Sequence, residues 1–537
     1  MRRSECNTEA WSGESGQAVV LVVIILGLFL LGVVGFAVDL TNIWFHRQAA
    51  AAAADAACQA GAMDMLATSG GLTPPAAGFT AGPAGDCASS PSATMCTYAK
   101  YNGYSGTGLS ANSASNSVSW SFPPSVAGVT GAVNTNAFLK VLISENVTTY
   151  FMRFMTRKTI QNINVSATCG VAAVKDAAPM LVLHPTLSGA FNYSGGGELI
   201  VVGGPQRSLQ VNSSSSTGIK WAASGLIDLS NGGPHQTGAD IGVVGGPTTI
   251  PTNGSSVGYK GGTTGSWKSD VIPVPDPYGS VAAPASIKLI TPSTTTSGTK
   301  VAYGTNGCPD HANGCLEFAP GYYPSGITLS GTTTAIFDPG IYYMGGSLSA
   351  GNSATVRVSK PGGTRAQTAG VMFYFSSGSI AFSGCSGCTN ANIEPVSALE
   401  LTCDGTSPPS ALGMSSSING NVLFGQCTSN ATYWDAGGDT TDSLSSTGSR
   451  GLLIFQSHTD TTQPSFSGSG ALTFSGALYF HNTSYTDVLS LSGGSSSGTF
   501  VLGEIIADQV NLSGSGIIKL ALTPAKTTNL AKVGLFQ

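Results

Sequence analysis

Charged side chains are scarce in this chain of 537 residues. Asp, Glu, Lys and Arg make up 9% of it, whereas typical soluble domains contain about 25%. The formal net charge of −5 is spread thinly, and no basic cluster is present that could neutralise a row of phosphates. The sequence therefore predicts no nucleic-acid partner.

Catalytic and metal-binding patterns are missing as well. Asp338 in "FDPG" and Asp435 in "YWDAGGD" lie in sequences typical of turns rather than of paired catalytic acids. Gly-rich phosphate loops and calcium-binding repeats are also lacking. No histidine sits in a motif, and the six are scattered at His46, His184, His235, His311, His458 and His481. We therefore expect no catalytic residues, no metal ligands and no cofactor.

Cysteine shows a clearer pattern. Cys6 precedes the long apolar segment, and the even ten beyond it are typical of disulfides in an oxidising compartment: Cys58, Cys87, Cys96, Cys169, Cys308, Cys315, Cys385, Cys388, Cys403 and Cys427. Spacing leaves the connectivity open, but plausible pairs are Cys58 with Cys169, Cys87 with Cys96, and Cys308 with Cys315. A four-thiolate zinc site that starts at "CSGC" is the alternative for the later cysteines, although only its first pair is tight.

One uncharged apolar run, from Ala18 to Val38, stands out near the N-terminus. At about 1.5 Å per residue it is long enough to cross the hydrocarbon layer, so we predict a transmembrane helix over 18–38. A cleaved signal ending at "GFA" is the alternative, but its apolar core would be unusually long. Arg2 and Arg3 before the run, against Arg47 after it, favour a cytoplasmic segment 1–17 and an outer remainder. This predicts a single-pass membrane protein whose N-terminus is cytoplasmic and whose C-terminal region lies on the outer side.

The transmembrane segment continues into an alanine-rich stretch without proline, so one helix is expected from Ala18 to Leu66. Gln48, Asp55 and Gln59 share one stripe of that helix. Small side chains allow another helix to come close, which favours a helical partner. The alternative is a spacer helix that lies against its own domain.

The rest of the chain is predicted to be mainly β. Residues 39–178 combine the alanine-rich helix with a small α+β module. In it, 137–155 is expected to be a strand or short helix that leads into an aromatic-rich helix, and 163–174 is expected to be a strand. The Gly-, Ser- and Thr-rich remainder divides into a β block at 179–260, a linker at 261–305 and a C-terminal domain at 306–537. An apolar residue followed by Ser-Gly recurs at Leu187, Ala223, Leu329, Phe382, Phe466, Phe474, Leu491 and Leu512. This repeat favours a β-solenoid, with a β-sandwich as the alternative.

Four N-terminal motifs carry a family resemblance: "GQAVV" at Gly16, "FAVDL" with Asp39, "RQAA" with Arg47 and Gln48, and "ADAACQAGA" with Asp55. Together they resemble the TadE/TadG-like proteins of the tight-adherence (Flp) pilus assembly system. Later stretches such as "VPDPYGSVAAP" are similar to long members of the group. The chain lacks a prepilin-type cleavage motif, and "DLSNG" at Asp228 lacks the last Ser of the metal motif that some members carry.

The resemblance implies a non-catalytic, membrane-anchored component of Flp pilus assembly and surface adhesion. It also implies the bacterial inner membrane as the location, a periplasmic or extracellular C-terminal region, and a pilin-like α+β module at 39–178. The protein's partners would be the membrane and pilus-assembly proteins or pilin-like helices, with surface glycans or other cells as further candidates. A membrane-anchored, carbohydrate-active β-helix enzyme is the alternative, because extracellular β-solenoids can carry clustered catalytic carboxylates.

Overall fold

The structure is a computed structural model, and the chain divides into two compact units. Unit 1 comprises Met1–Ala173 with Ala531–Gln537, and unit 2 comprises Val174–Leu530. The residues that the structure describes are 15–69, 82–127, 129, 136–175, 178–221, 224–246, 253–254, 258–279, 283, 298–338, 340–351, 353–360, 371–384, 392–397, 409–414, 417–418, 422–425, 452–468, 472–493, 499–515, 517–522 and 529–536. The predicted mainly β fold class is confirmed.

Helix α1 (Ser15–Ser69) contains both the apolar run and the alanine tract in one continuous helix. The prediction of a helix from Ala18 to Leu66 is therefore confirmed. It is long and apolar enough to cross a membrane, and its first half exposes large apolar side chains all round. A helix that is hydrophobic on every side requires an apolar surrounding, which for an exposed segment is lipid.

Unit 1 builds an antiparallel sheet beside the second half of α1. In chain order its elements are β1 (Gly85–Asp86), helix α2 (Thr94–Tyr101), β2 (Ser115–Ser121), β3 (Phe138–Thr148), helix α3 (Arg153–Thr156) and β4 (Ile160–Lys175). The sheet order is β1-β2-β3-β4, followed by the C-terminal strand Asn529–Phe536. Strands β3 and β4 pair along their whole facing length, which makes a long hairpin whose tip carries α3.

The alanine tract packs inside unit 1. Ala50, Ala53, Ala54 and Ala57 are fully buried, in one core with residues of α2, β2, β3 and β4. Gly61 belongs to the same face, where an added Cβ would lie 2.5 Å from the Leu139 side chain. Small side chains are needed here because α2 and the sheet come close to the helix. This part of the tract therefore lies against its own domain, and the expectation that a separate protein covers these alanines is wrong.

Unit 2 is built from short strands. The first group comprises β5 (Met180–Val182), β6 (Phe191–Tyr193), β7 (Glu198–Val202), β8 (Arg207–Val211), β9 (Ile219–Trp221), β10 (Leu226–Asp228), β11 (Asp240–Val243), β12 (Gly258–Lys260) and β13 (Trp267–Lys268). The second comprises β14 (Thr299–Val301), β15 (Cys315–Phe318), β16 (Gly321–Tyr323), β17 (Ile327–Leu329), β18 (Thr334–Phe337), β19 (Gly340–Met344), β20 (Leu348–Ala350), β21 (Thr355–Val358), β22 (Val371–Phe375) and β23 (Ile380–Gly384). The third comprises β24 (Val396–Ser397), β25 (Ser417–Ile418), β26 (Val422–Gly425), β27 (Leu452–Gln456), β28 (Ser465–Gly468), β29 (Leu472–Ser475), β30 (Ala477–Phe480), β31 (Val488–Gly493), β32 (Thr499–Leu502), β33 (Ile505–Ala507), β34 (Gln509–Gly514) and β35 (Ile517–Ala521). Short 3-10 turns lie at Thr305–Gly307 and Ser410–Leu412.

Apart from β11 to β15 and the separate β24–β25 pair, successive strands of unit 2 visit three long sheets in rotation. Sheet I has the order β12-β10-β7-β35-β32-β29-β26-β21-β18-β15-β14, sheet II β13-β11-β8-β5-β33-β30-β27-β22-β19-β16, and sheet III β17-β20-β23-β28-β31-β34-β6-β9. Among the described pairings of these sheets, every neighbour is parallel except β14 on β15. Parallel strands that recur in three sheets are the pattern of a solenoid, so unit 2 is solenoid-like, as the sequence predicts.

Members of the apolar-Ser-Gly repeat pair with one another across neighbouring strands of sheet III. Phe382 faces Phe466, Phe466 faces Leu491, and Leu491 faces Leu512 across neighbouring strands. These side chains are buried in the central core of unit 2. Two members of the repeat lie elsewhere, because Phe474 belongs to sheet I and Leu187 to no strand. Ala223 lies outside the described residues.

The predicted division of the β region differs from the structure. The blocks 179–260 and 306–537 form a single unit, because the last coil of the chain docks on the first: β33 pairs with β5, β34 with β6, and β35 with β7. The predicted linker 261–305 contains β13 and β14, and Tyr278 within it is buried. The final strand belongs to unit 1 rather than to the solenoid. Pairing between strands so distant in sequence leaves no local signal.

Candidate functional site

Asp39 joins the anchor helix to the tip of the β3–β4 hairpin. Its buried carboxylate accepts backbone N–H bonds from Tyr150 at 2.9 Å, Phe151 at 2.7 Å and Met152 at 2.5 Å. These three groups precede the first turn of α3, where backbone donors have no helical acceptor. A carboxylate is the natural partner for such donors, and bonds to a charged acceptor are stronger than neutral ones. The motif residue Asp39 therefore holds the hairpin tip against α1.

Asp55 lies on the other side of the alanine-rich helix. The predicted polar stripe is present, since Gln48 and Gln59 are exposed and Asp55 is partly exposed. Among the described residues, Asp55 has no hydrogen-bond or ion-pair partner, and partial burial raises the pKa of its carboxyl. A carboxylate that is partly removed from water without a partner is suited to pairing with a cation or donor of another chain. Arg47 is exposed beside this stripe.

Disulfides hold both units. Their S–S distances are 2.04 Å for Cys58–Cys169, 2.06 Å for Cys87–Cys96 and 1.96 Å for Cys308–Cys315. The first connects α1 to β4 across 111 residues, so it fixes the alanine-rich helix on the sheet. Cys385, Cys388, Cys403 and Cys427 lie outside the described residues, as does Cys6. In the described part of the chain, no group of three or more candidate ligands could hold a metal ion.

A cluster of buried ionisable side chains in unit 2 lies at the carboxyl ends of β30 and β33, two central strands of sheet II. His481, which directly follows β30, has Nδ1 2.5 Å from Oδ1 of Asp508, which directly follows β33. Its Nε2 is 3.8 Å from Oδ2 of Asp276. Tyr479 donates its hydroxyl to that same oxygen at 2.6 Å, and Nε2 of His458 is 2.9 Å from the Tyr479 hydroxyl.

The surroundings set the charges in this cluster. Burial lowers the pKa of His458, and burial would also lower that of His481. For His481, however, the bond to Asp508 and the charges of Asp508 and Asp276 outweigh burial and hold its pKa above the ordinary value. Burial also raises the pKa of Asp276, against the opposing charge of His481. Protonation is thus favoured at His481 over His458.

Asp487 is the second fully buried carboxyl of the cluster. Its Oδ1 accepts a bond from the Asn482 amide at 2.7 Å, while its Oδ2 has no partner among the described atoms. Burial, followed by the charge of nearby Asp508, raises the pKa of Asp487 to about 7. Oδ2 of Asp508 accepts hydrogen bonds from the backbone N–H groups of Asn482 and Asp487, each at 3.1 Å.

Such a cluster can hold and exchange protons between imidazole and carboxylates. Its members come from separate coils, so the sequence analysis missed them and treated the histidines as scattered. In the structure, Phe480 and Ala507 face each other in register, which places the next residues, His481 and Asp508, side by side. That register is set by parallel pairing and not by any local motif.

Comparisons with known proteins bear on the N-terminal helix. Residues 16–64 match the family described as "Putative Flp pilus-assembly TadE/G-like". This confirms the resemblance over that segment, which contains Asp39, Arg47, Gln48 and Asp55, and we call it the Tad segment. With an apolar helix of membrane-spanning length, it indicates a membrane-anchored protein related to pilus assembly. No curated protein matches the chain.

Two solved structures show only weak similarity. An ice-binding protein from an Antarctic bacterium of the Flavobacteriaceae is 10% identical, with a TM-score of 0.19 over 65% of this chain, and the match spans 51% of that protein. The competence-associated pilin ComZ from Thermus thermophilus is 7% identical, with a TM-score of 0.17 over 79% of this chain and 84% of the pilin. At these TM-scores neither similarity bears on the fold or function of this chain.

Proposed function

We propose that this protein is a non-catalytic component of a Flp-type pilus-assembly apparatus. Helix α1 anchors it in the membrane, and the polar stripe of Gln48, Asp55 and Gln59 contacts a helix of another assembly protein. The observation that carries this proposal is Asp55, a partly buried carboxylate within the Tad segment that has no partner among the residues that the structure describes. The buried alanines hold the helix on unit 1, which leaves the stripe as the face available to a partner.

The side of the membrane follows from cysteine chemistry. Disulfides occur in both units, beyond the apolar part of α1. Such bonds persist in oxidising compartments and are rare where thiol systems keep cysteines reduced. We therefore propose that everything after the apolar run lies on the outer side of the bacterial inner membrane. Unit 2 then lies on the outer side as well, and in this proposal it contributes to surface adhesion through contacts with glycans or other cells.

Site-specific crosslinking in the host cell tests the partner-binding stripe. A photo-reactive side chain at Gln59 should crosslink to other membrane proteins of the pilus apparatus, and Asp55→Asn should reduce that crosslinking several-fold. Asp86→Asn is the matched control, because it makes the same change at a carboxylate of unit 1 that already accepts hydrogen bonds from Ser89. Unchanged crosslinks and normal adhesion in the Asp55 variant would rule the stripe out as the contact.

The second candidate function is an anchored carbohydrate-active enzyme, and the cluster around His481 is the observation in its favour. Glycoside hydrolysis uses a pair of carboxyl groups as acid and base or nucleophile, and an imidazole can also transfer protons. Against it, Asp508 is fully buried and is held by three bonds from within the fold. These contacts support a role in bracing neighbouring coils. Turnover of a polysaccharide by the full chain, abolished by His481→Gln with unit 2 still folded, would favour the enzyme.

A further inference from the structure

We propose that the tip of the β3–β4 hairpin, residues 149–159, is a second membrane-contact element, which docks on the anionic surface of the bilayer that α1 spans. The hairpin tip carries exposed aromatic and basic side chains and contains no acidic residue. It lies beside the predicted end of the transmembrane segment. Its proposed occupant is the lipid headgroup layer.

The depth of the hairpin tip follows from its contacts with α1. Strand β3 runs along the helix toward the membrane: Nδ1 of His46 is 2.8 Å from the Glu145 carboxylate, and the Asn42 amide is 3.4 Å from the Thr148 carbonyl oxygen. Both contacts step toward the N-terminus of α1 as the hairpin advances. The hairpin therefore reaches Val38, where the apolar run ends, at its tip.

At the tip, the contacts continue past Val38. Asp39 binds the N–H groups of residues 150–152, as described above, and the Phe151 ring lies against Gly35. A Cβ on Gly35 would be 2.5 Å from that ring, so glycine is what allows the aromatic side chain to lie on the helix. With a rise of about 1.5 Å per residue, Gly35 lies roughly 5 Å on the membrane side of Val38. The hairpin tip thus reaches the interfacial depth.

The side chains match that depth. Tyr150, Phe151 and Phe154 are 59%, 47% and 76% exposed, which is unusual for three neighbouring aromatics of a folded unit in water. On α1 they are joined by exposed Trp44 and Phe45, at the level where aromatic residues form a belt at the membrane surface.

Charge identifies which surface the tip prefers. Arg153, Arg157 and Lys158 lie in the same short segment, and the Arg153 guanidinium is 5.2 Å from the centre of the Phe154 ring. Aromatic side chains that enter the interface between basic ones are typical of elements that bind anionic headgroups. A protein partner would have to displace lipid that already lies at this depth beside α1.

Photo-crosslinking to lipid tests the proposal on the full chain. The protein is reconstituted in vesicles of phosphatidylethanolamine and phosphatidylglycerol, with a diazirine side chain at Phe154. The matched control is Tyr101 in α2, which is 78% exposed and belongs to the same unit, and a diazirine at Leu28 reports on the anchor. The Cys58–Cys169 disulfide, read by mass spectrometry, verifies that unit 1 is folded.

Lipid adducts are expected at Leu28 and Phe154, with at least about a threefold excess of Phe154 over Tyr101 adducts. Adducts at Leu28 with equal yields at the other two positions would overturn the proposal while leaving the anchor intact. Absence of adducts at Leu28 would overturn both the proposed hairpin contact and the membrane anchor. Changing the three basic residues to Gln should lower the phosphatidylglycerol share of the Phe154 adducts, and an unchanged share would refute the preference for an anionic surface.

Discussion

Asp487→Asn should stabilise the protein at neutral and alkaline pH. The Asp487 carboxyl is fully buried. Burial and the nearby charge of Asp508 raise the pKa of Asp487 from 3.8 to about 7. Between these values the folded chain binds a proton that the unfolded chain has released, so the free energy of unfolding falls as pH rises through this window. The raised pKa of His481 acts in the same direction, because its stabilising proton is lost as pH rises through its folded value.

The size of the effect follows from the pKa shift. A difference of about three pKa units at about 1.4 kcal/mol each amounts to roughly 4 kcal/mol at pH 8, and to under about 1 kcal/mol at pH 4. Asn keeps an oxygen that can accept the Asn482 bond and has no proton to release. For unit 2, at about 2.1 cal/mol/K per residue, this corresponds to a Tm increase of roughly 5 °C at pH 8.

Differential scanning calorimetry of the full chain in detergent, at both pH values, measures this effect. Asp270→Asn is the control, because Asp270 is an exposed residue of unit 2 that undergoes the same chemical change. A Tm gain of equal size at pH 4 and pH 8 would refute the reasoning, as would a loss at pH 8. So would an equal gain in the control.

Three further predictions concern unit 1. Ala54→Leu should destabilise it by about 1–3 kcal/mol, because the site is fully packed, whereas Ala52→Leu on the exposed side should change its thermal unfolding little. Equal effects would contradict the packing of the tract. Asp39→Ala should cost about 1.5–3 kcal/mol and make trypsin cut faster at the basic hairpin tip, since three N–H groups lose a charged acceptor. Unchanged proteolysis, measured beside Asp86→Asn, would count against this. Cys58→Ser should lower the free energy of unfolding by about 2–5 kcal/mol in a denaturant titration. The loss should exceed that from removing the Cys87–Cys96 bond, whose cysteines are only 9 residues apart, and the reverse order would contradict the reasoning.

Local features of the chain were predictable. The apolar run, the alanine tract and the Tad motifs lie within one helix, so hydropathy and helix propensity indicated α1 without further information. The apolar-Ser-Gly repeat likewise indicated stacked coils, because Phe382, Phe466, Leu491 and Leu512 occupy the same position in successive strands of sheet III. These signals act over a few residues or repeat along the chain.

Other features required the tertiary structure. The alanine tract was compatible both with a partner helix and with its own domain. The packing of α2 and β3 decided between them for the buried alanines Ala50, Ala53, Ala54 and Ala57. The cluster around His481 brings together Asp276 and Asp508, which are 232 residues apart in the chain (276 to 508). It also depends on the docking of the final coil on the first. Sequence by itself determined the long helix with its anchor and the repetitive β character of the later chain, because propensity and periodicity are local. Which faces become buried, and which ionisable groups meet, depended on long-range strand pairing, whose register is set only when distant coils pack together.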